Sequence, residues 1–420
     1  MSKKEYKILI VNQFFPPDYA ATGQLIEELA TAISKEDLKV RVFSGQPGYA
    51  FDTNQAPRDE KMGKVHVRRT RTAQMWPQRI RGKAVNSFLF FLRAFIHTAR
   101  YQKGDDLLII TTAPAFMTWL GYFVYVIWKK KYVCLIYDLY PNVITALKVL
   151  PETNIIVKLW NKLNHQTWTN AQEIIVLSST MKELILEACP KVSNKISIIH
   201  NWADGDTIKP IKKEDNWFAQ QYGLDKKFTI LYSGNMGRCH DMETIIEAAY
   251  ILKDYHNSIQ FVFIGSGPQQ EAIKEKINGL ELDNILFLPY QKKEDLPYSL
   301  TACDVSLISM AQGMEGIVAP SKLYSTLAAG NAVGVICPER SFLKQLVVDA
   351  QCGESFTNGD ALGLANFFLK LKEDSSLCEK MGYNARQYFC NHFTKDIAIN
   401  KYLDVIDNIR RESSLELITR

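Results

Sequence analysis

Short apolar runs alternate along this chain with longer stretches whose apolar residues recur at helical spacing. KILIVNQ (7–13), KVRVFSG (39–45), KVHVRRT (64–70), LLIIT (107–111), YVCLIY (132–137) and EIIVLS (173–178) read as strands. Between them GQLIEELATAI (23–33), the Phe-rich 84–101 stretch, 115–128 and 152–169 read as helices. The theme repeats with FTILYSG (228–234), IQFVFIG (259–265), ILFLPY (285–290), DVSLISM (304–310), AVGVICP (332–338) and CGESF (352–356). Nearly continuous apolar strands separated by helices imply parallel sheets covered on both faces.

The periodicity breaks at IIHNWADGDTIKPIKKEDN (198–216), where turn residues and charges intervene. The expected fold class is therefore α/β, with two tandem Rossmann-like doubly wound domains facing across a cleft. The domains are expected at 1–205 and 206–394, and a last helix in 395–420 is expected to pack back on the first. No sequence repeat accompanies this repeated architecture.

Bulk properties narrow the picture. A chain of 420 residues exceeds one comfortable core, and 47% hydrophobic with 23% charged residues is globular. A net charge of +5 and the lack of a recognised motif argue against a nucleic-acid partner. The eight Cys residues are scattered without a C-x-x-C pair and are expected as reduced, mostly buried thiols of a cytosolic protein. No secretory signal is expected, because MSKKEYKILIV runs from a basic start straight into a strand. The uncharged run 107–128 before KKK resembles a membrane span, but Pro114 divides it into a buried strand and a segment too short to cross. Basic and aromatic residues intermix from Arg68 to Arg100, which fits either a helix on an anionic membrane surface or a core helix with solvated cations.

Two segments carry the candidate chemistry. YSGNMGRCHDMETIIEAA (232–249) and GMEGIVAPSKLYSTLAAG (313–330) each run through small residues and one cation, Arg238 or Lys322, into a helix. Helix starts attract anions, and two starts with committed cations suit a diphosphate. Lys322 follows Pro320 and Ser321 in a helix first turn, where a cation is unfavourable until an anion joins it. Gly234 and Gly237 free the backbone for close contact, and Glu315 is placed to bond sugar hydroxyls. His240 and Asp241 adjoin without further ligands, so no metal site is expected, and Asp241 reads as an N-cap. In FIGSGPQQEAI, Gly265 and Gly267 fit either a nucleotide contact or a tight turn; Pro289 and Tyr290 end the next strand, where a nucleobase would lie. Asn235, Gly316, Ser321, Leu323 and Ser325 complete the expected donor-binding set. In NQFFPPDYAATGQLIEEL, Thr22 is the expected N-cap and Gly23 the point of ligand approach; the missing G-x-G-x-x-G argues against a dehydrogenase. Asp138, in IYDLYPN, is either a cleft carboxylate or a helix cap.

At PPDYAATGQLIEELA, DLYPN, YSGNMGRCHD, FIGSGP and PSKLYSTLAAG the chain resembles the retaining GT-B-fold glycosyltransferases of family four, glycosyl transferases group one. It is most similar to members that build bacterial surface polysaccharides. The resemblance implies an N-terminal acceptor domain, a C-terminal nucleotide-sugar domain, retained anomeric configuration and no required metal or other cofactor. By position, Arg238 and Lys322 would neutralise the departing diphosphate, Gly23 would lie beside the sugar, and Asp138 falls in the interdomain motif. The chain departs from the family pattern at Tyr137, Ser325 and Glu243, which stand where His, Glu and Lys are common; Glu315 is two positions off the usual spacing.

The expected function is transfer of a hexosyl or N-acetylhexosaminyl group from a UDP-linked donor to a lipid-linked or saccharide acceptor. The expected place is the cytoplasm, at the inner face of the cell membrane. Two alternatives stand beside it. One is a nucleotide-sugar epimerase of the same fold, the other a transferase-like subunit that binds without turnover.

Overall fold

The computed structural model describes residues 5–418 except 19, 37, 48–55, 72–79 and 102–105. The chain divides into two compact units, Met1–His200 with Ile399–Arg420, and Asn201–Ala398.

The first unit runs β1 (Lys7–Val11), α1 (Ala21–Ile33), β2 (Lys39–Ser44), β3 (Asp59–Met62), β4 (Val65–Arg69), α2 (Ile80–Tyr101), β5 (Leu107–Thr111), α3 (Trp119–Trp128), β6 (Lys131–Ile136), α4 (Asn142–Ala146), α5 (Ile155–Asn170), β7 (Glu173–Val176), α6 (Ser179–Ala188) and β8 (Ile196–Ile198). Its eight strands pair in the order β3-β4-β2-β1-β5-β6-β7-β8. All pairs are parallel except β3 with β4. β5 is buried at every position, as a strand covered on both faces must be. The antiparallel strand β3 has the sequence DEKM and lies at the sheet edge, so no apolar alternation announces it.

The second unit runs α7 (Trp217–Gln221), β9 (Phe228–Ser233), α8 (Glu243–Ile251), β10 (Ile259–Ile264), α9 (Gln270–Gly279), β11 (Ile285–Leu288), α10 (Leu296–Thr301), β12 (Val305–Ser309), α11 (Lys322–Ala329), β13 (Ala332–Ile336), α12 (Phe342–Ala350), β14 (Gly353–Phe356), α13 (Ala361–Glu373) and α14 (Ser375–His392). α15 (Lys395–Ile418) follows, and its residues from Ile399 onward group with the first unit. The six strands are parallel in the order β11-β10-β9-β12-β13-β14. One core cluster, with Tyr232, Phe261, Phe263 and Phe368 fully buried, fills the space between this sheet and α8, α9 and α13.

Both sheets reverse their strand order once, at β1/β5 and at β9/β12. Loops leaving the C-terminal ends of two such strands diverge and open a crevice for ligands. In the second unit, the two segments singled out in the sequence, the loops after β9 and β12, are the ones that leave this reversal.

Several local expectations are corrected. Thr22 is not an N-cap: the helix begins at Ala21, Ala20 occupies the cap, and Asp18 accepts the Ala20 N–H instead. Gly23 is buried, and a Cβ there would lie 3.1 Å from the Phe14 and Phe15 backbone. Its missing side chain lets α1 approach the Pro-Pro loop. The helix expected from 115 starts at Trp119. All eight cysteines are free, and five are buried. Among the described residues, no helix is long and apolar enough to cross a membrane. Part of the basic-aromatic segment, 72–79, lies outside the described residues.

Candidate active site

The loop from Gly234 to Asp241 leaves β9 with Gly234 at φ +135°, a conformation L side chains rarely adopt. Hydrogen bonds pin this loop along its length. Gly234 and Met236 donate backbone N–H groups to Ile264 and Ser266. Gln269 Nε2 donates to the Gly237 carbonyl at 2.6 Å, and the Cys239 carbonyl accepts the Ala311 N–H at 2.9 Å. Met242, not Asp241, occupies the cap of α8, but Asp241 just before it accepts from the Thr244 N–H and hydroxyl at 3.0 and 2.7 Å. Asn358 Nδ2 bonds both Asp241 Oδ2 and the Met310 carbonyl at 2.8 Å, tying the β9 loop to the end of β12. The backbone around Arg238 is thus fixed while its guanidinium stays exposed.

From the other side of the reversal comes α11. Lys322 is its first residue, and Ser321 at the cap makes no side-chain capping bond. The Lys322 ammonium is buried without a hydrogen-bond partner. Its Nζ lies 3.5 Å from the ring centroid of Tyr232, a close cation–π contact. A Cβ on Gly234 would meet its Cε at 3.4 Å, so the glycine makes room for the lysine and the loop beside it. Desolvation holds the Lys322 pKa well below the usual lysine value. The positive end of α11 adds to this penalty. A buried cation without a counter-charge is costly in a folded protein, and an anionic guest removes the cost.

The surroundings suit that guest. Tyr232 is fully buried, and its hydroxyl donates to the Asn235 carbonyl at 2.9 Å, which holds the ring under the ammonium. The sequence had not marked this tyrosine, although its place at the end of β9, directly before the glycine loop, is a usable signal. His240 Nδ1 donates to the Ser309 carbonyl at 2.7 Å. Burial and the Lys322 charge push its pKa down to about 3, so the imidazole is neutral near pH 7. Glu315, in the β12–α11 loop, has its Oε2 buried and unpartnered.

The remaining expected donor residues cluster around the same loops. Gly265, at φ +128°, would place a Cβ 2.3 Å from the Gly234 carbonyl oxygen and 3.3 Å from Tyr290 Cε1. Gly267 packs equally close on Asn235 and Met236. Pro289 and Tyr290 are exposed at the end of β11, and the Tyr290 hydroxyl donates to Ser266 at 3.3 Å. Gly316 turns the β12–α11 loop at φ +71°. The Leu323 N–H donates to Pro320 while its side chain is fully buried. The Ser325 hydroxyl donates to the Lys322 carbonyl at 3.1 Å. Glu243, standing where a lysine is common, ion-pairs with Lys276.

Asp138 and Gly23 belong to the first unit and are not among these loops. Asp138 follows β6, and Thr112 Oγ1 accepts its backbone N–H at 3.3 Å and that of Tyr137 at 3.0 Å. Burial pushes its carboxyl up to about 6. No group of three or more potential metal ligands occurs among the described residues.

Residues 214–388, which include both loops of this crevice, match the family described as Glycosyl transferases group 1. Through that stretch the chain is similar to the group 1 glycosyl transferases, and its fold is the GT-B fold expected of them. The chain is 23% identical to the probable glycosyltransferase WbjE of Pseudomonas aeruginosa, over 78% of this chain and 80% of that protein. Its fold is similar to that of sucrose-phosphate synthase from Thermosynechococcus elongatus at a TM-score of 0.77, with 16% identity, covering 97% of this chain and 100% of the other. It is also similar to Anabaena HepE in complex with UDP and glucose, at a TM-score of 0.73 and 15% identity, covering 96% and 100%.

Proposed function

We propose that this protein is a retaining glycosyltransferase that moves a sugar from a UDP-sugar to a lipid-linked or saccharide acceptor in surface-polysaccharide synthesis. One observation carries the reading: the buried, unpartnered ammonium of Lys322 at the first position of α11. The donor diphosphate is the dianionic guest that would complete it. As the glycosidic bond breaks, negative charge collects on the departing diphosphate. The buried Lys322 and Arg238, whose loop backbone is pinned, would stabilise that charge. Glu315 is the acceptor for donor sugar hydroxyls, and Asn235, Pro289 and Tyr290 border the nucleoside. The UDP assignment is supported by HepE, crystallised with UDP and glucose. The polysaccharide assignment is supported by relatives such as the capsular polysaccharide biosynthesis glycosyltransferase CapM of Staphylococcus aureus. Both cations come from side chains, so the proposal needs no metal.

The test is turnover of UDP-sugars with membrane-extract acceptors. Arg238→Ala is expected to cost about 2–4 kcal/mol of transition-state stabilisation, the scale of one lost oxyanion donor. Near-wild-type turnover in that variant ends the proposal. Conversion of a UDP-sugar to its isomer without acceptor would instead mark an epimerase.

A further inference from the structure

A cavity of about 760 Å³ opens at the N-terminal ends of β1, β2 and β4 in the first unit. Ligand crevices of such sheets lie at the opposite, C-terminal ends, so this cavity is apart from the β1/β5 reversal. Its volume lies in the range of small-molecule sites. Sheet register explains its lining. Lys7 on β1 stands beside Lys39 on β2, and Arg41, two residues on, stands beside His66 on β4. His66 in turn lies opposite Lys61 on β3. Residues paired across strands, and residues two apart on one strand, share a face. Four cationic side chains and one imidazole are thus gathered on one face, and all five line the cavity.

The neighbouring row of the same face shows what is missing here. There Arg68 on β4 lies opposite Asp59 on β3, and the two pair at 3.2 Å. In the row of Arg41, His66 and Lys61 no carboxylate stands, and like charges side by side on a sheet are destabilising. Glu60 turns to the other face, where it holds the buried Arg69 at 2.6 Å. Lys64, after the Gly63 turn at φ +58°, and Arg410 of α15 add two more cations to the lining. The Arg410 guanidinium lies over the Tyr6 ring at 5.9 Å. Among the described residues, Glu5 is the one acid that lines the cavity, and it is already paired with Lys39. Lys61, Lys64 and His66 are exposed and form no ion pair among the described residues. The positive field reaches beyond the cavity. Burial, then Arg41, Arg68 and His66 against an opposing Asp59, push the His97 pKa down to about 4.

Adjacent strands lie about 4.8 Å apart, so the four strands from β1 to β3 spread this charge over about 14 Å. A single phosphate or carboxylate meets one or two of these side chains. A chain of phosphates meets the whole row, because it carries several charges along a line. We propose that the cavity at the strand N-termini is a second anion site, which takes a soluble linear polyphosphate, as a free chain or as the tail of a nucleotide. The site shares no residue with the donor loops and does not rest on the glycosyltransferase reading.

The test is calorimetric titration of the full-length protein with inorganic tripolyphosphate while UDP saturates the donor crevice. The wild type should bind tripolyphosphate about tenfold or more tightly than inorganic phosphate, and the binding should weaken as salt is raised. K61Q/K64Q/H66Q replaces only exposed side chains and should lose about tenfold or more in tripolyphosphate affinity, the worth of one charge-assisted contact. Without ligand its thermal midpoint should equal or exceed that of the wild type, because like charges are relieved, so lost binding is not unfolding. K61R/K64R keeps the charge and should keep the affinity. ATP binding more tightly than tripolyphosphate marks a nucleotide as the occupant, and equal or weaker binding marks the phosphate chain itself. An unchanged triple variant overturns the proposal, as does loss of affinity in K61R/K64R. Inorganic phosphate binding as tightly as tripolyphosphate overturns it too. So does displacement of tripolyphosphate by phosphatidylglycerol vesicles or by single-stranded RNA at equal phosphate concentration, because the occupant would then be a membrane or a nucleic acid. Failure of UDP to bind would sink the function proposed above, while the triple variant would still report on this site.

Discussion

Lys322 combines three unfavourable circumstances: a buried ammonium, no hydrogen-bond partner, and the positive end of a helix. The face of Tyr232 offsets them in part. Replacing it with an apolar isostere should therefore separate stability from binding. Lys322→Met is predicted to stabilise the ligand-free protein by about 1–3 kcal/mol, the scale of one unsatisfied buried polar group, while UDP affinity collapses. Chemical denaturation with and without UDP checks both halves. The sign of the pH dependence follows. The folded pKa lies below the unfolded value of 10.5, so the unfolded chain binds more protons in that window and wild-type stability rises with pH through it. The Met variant lacks this rise. Asp138 behaves oppositely. Its folded pKa of about 6 exceeds the unfolded 3.8, so the folded state holds the extra proton and stability falls as pH rises between the two. Asp138→Asn should be more stable than wild type above pH 6, with the difference fading towards pH 4 in denaturation midpoints.

At the scale of elements, the site depends on two loops that leave the β9/β12 reversal and are held by neighbouring backbone. Gly265 is the tightest point, because any side chain there meets the Gly234 carbonyl oxygen at 2.3 Å and must also adopt φ +128°. Gly265→Ala is predicted to destabilise the second unit by about 2 kcal/mol or more, since strain and overlap add, as read by its thermal midpoint. The strands that shape these loops were legible in the sequence because each is a short β-branched or aromatic run closed by small residues. β9, β10, β12 and β13 begin and end within two residues of the expected places. What escaped has physical reasons. β3 is polar and exposed at an edge, so it leaves no apolar pattern. α1 starts at Ala21, two residues before the expected Gly23, and Asp18 accepts the N–H of its cap residue Ala20. Lys322 at a helix start was readable from the Pro320-Ser321 pair before it, whereas its contact with the Tyr232 ring depends on tertiary packing.

At the scale of the molecule, the chain holds two units with separate sheets, and the proposed donor site lies wholly in the second. UDP that binds only the second unit should protect amides of β9, β12 and α11 from hydrogen exchange and leave β2 and β4 unprotected. The gain in that unit should approach about 2.7 kcal/mol at a hundredfold excess over the dissociation constant. The most direct measurement is a calorimetric titration of UDP at pH 8 in two buffers of different ionisation heat, for wild type and Lys322→Met. At that pH the nucleotide is fully ionised. UDP should raise the Lys322 pKa, as the diphosphate favours the charged ammonium, and the variant should lose that proton linkage and about 10- to 100-fold in affinity, the worth of one charge-assisted contact. Equal affinities, or no binding to either protein, would contradict the account.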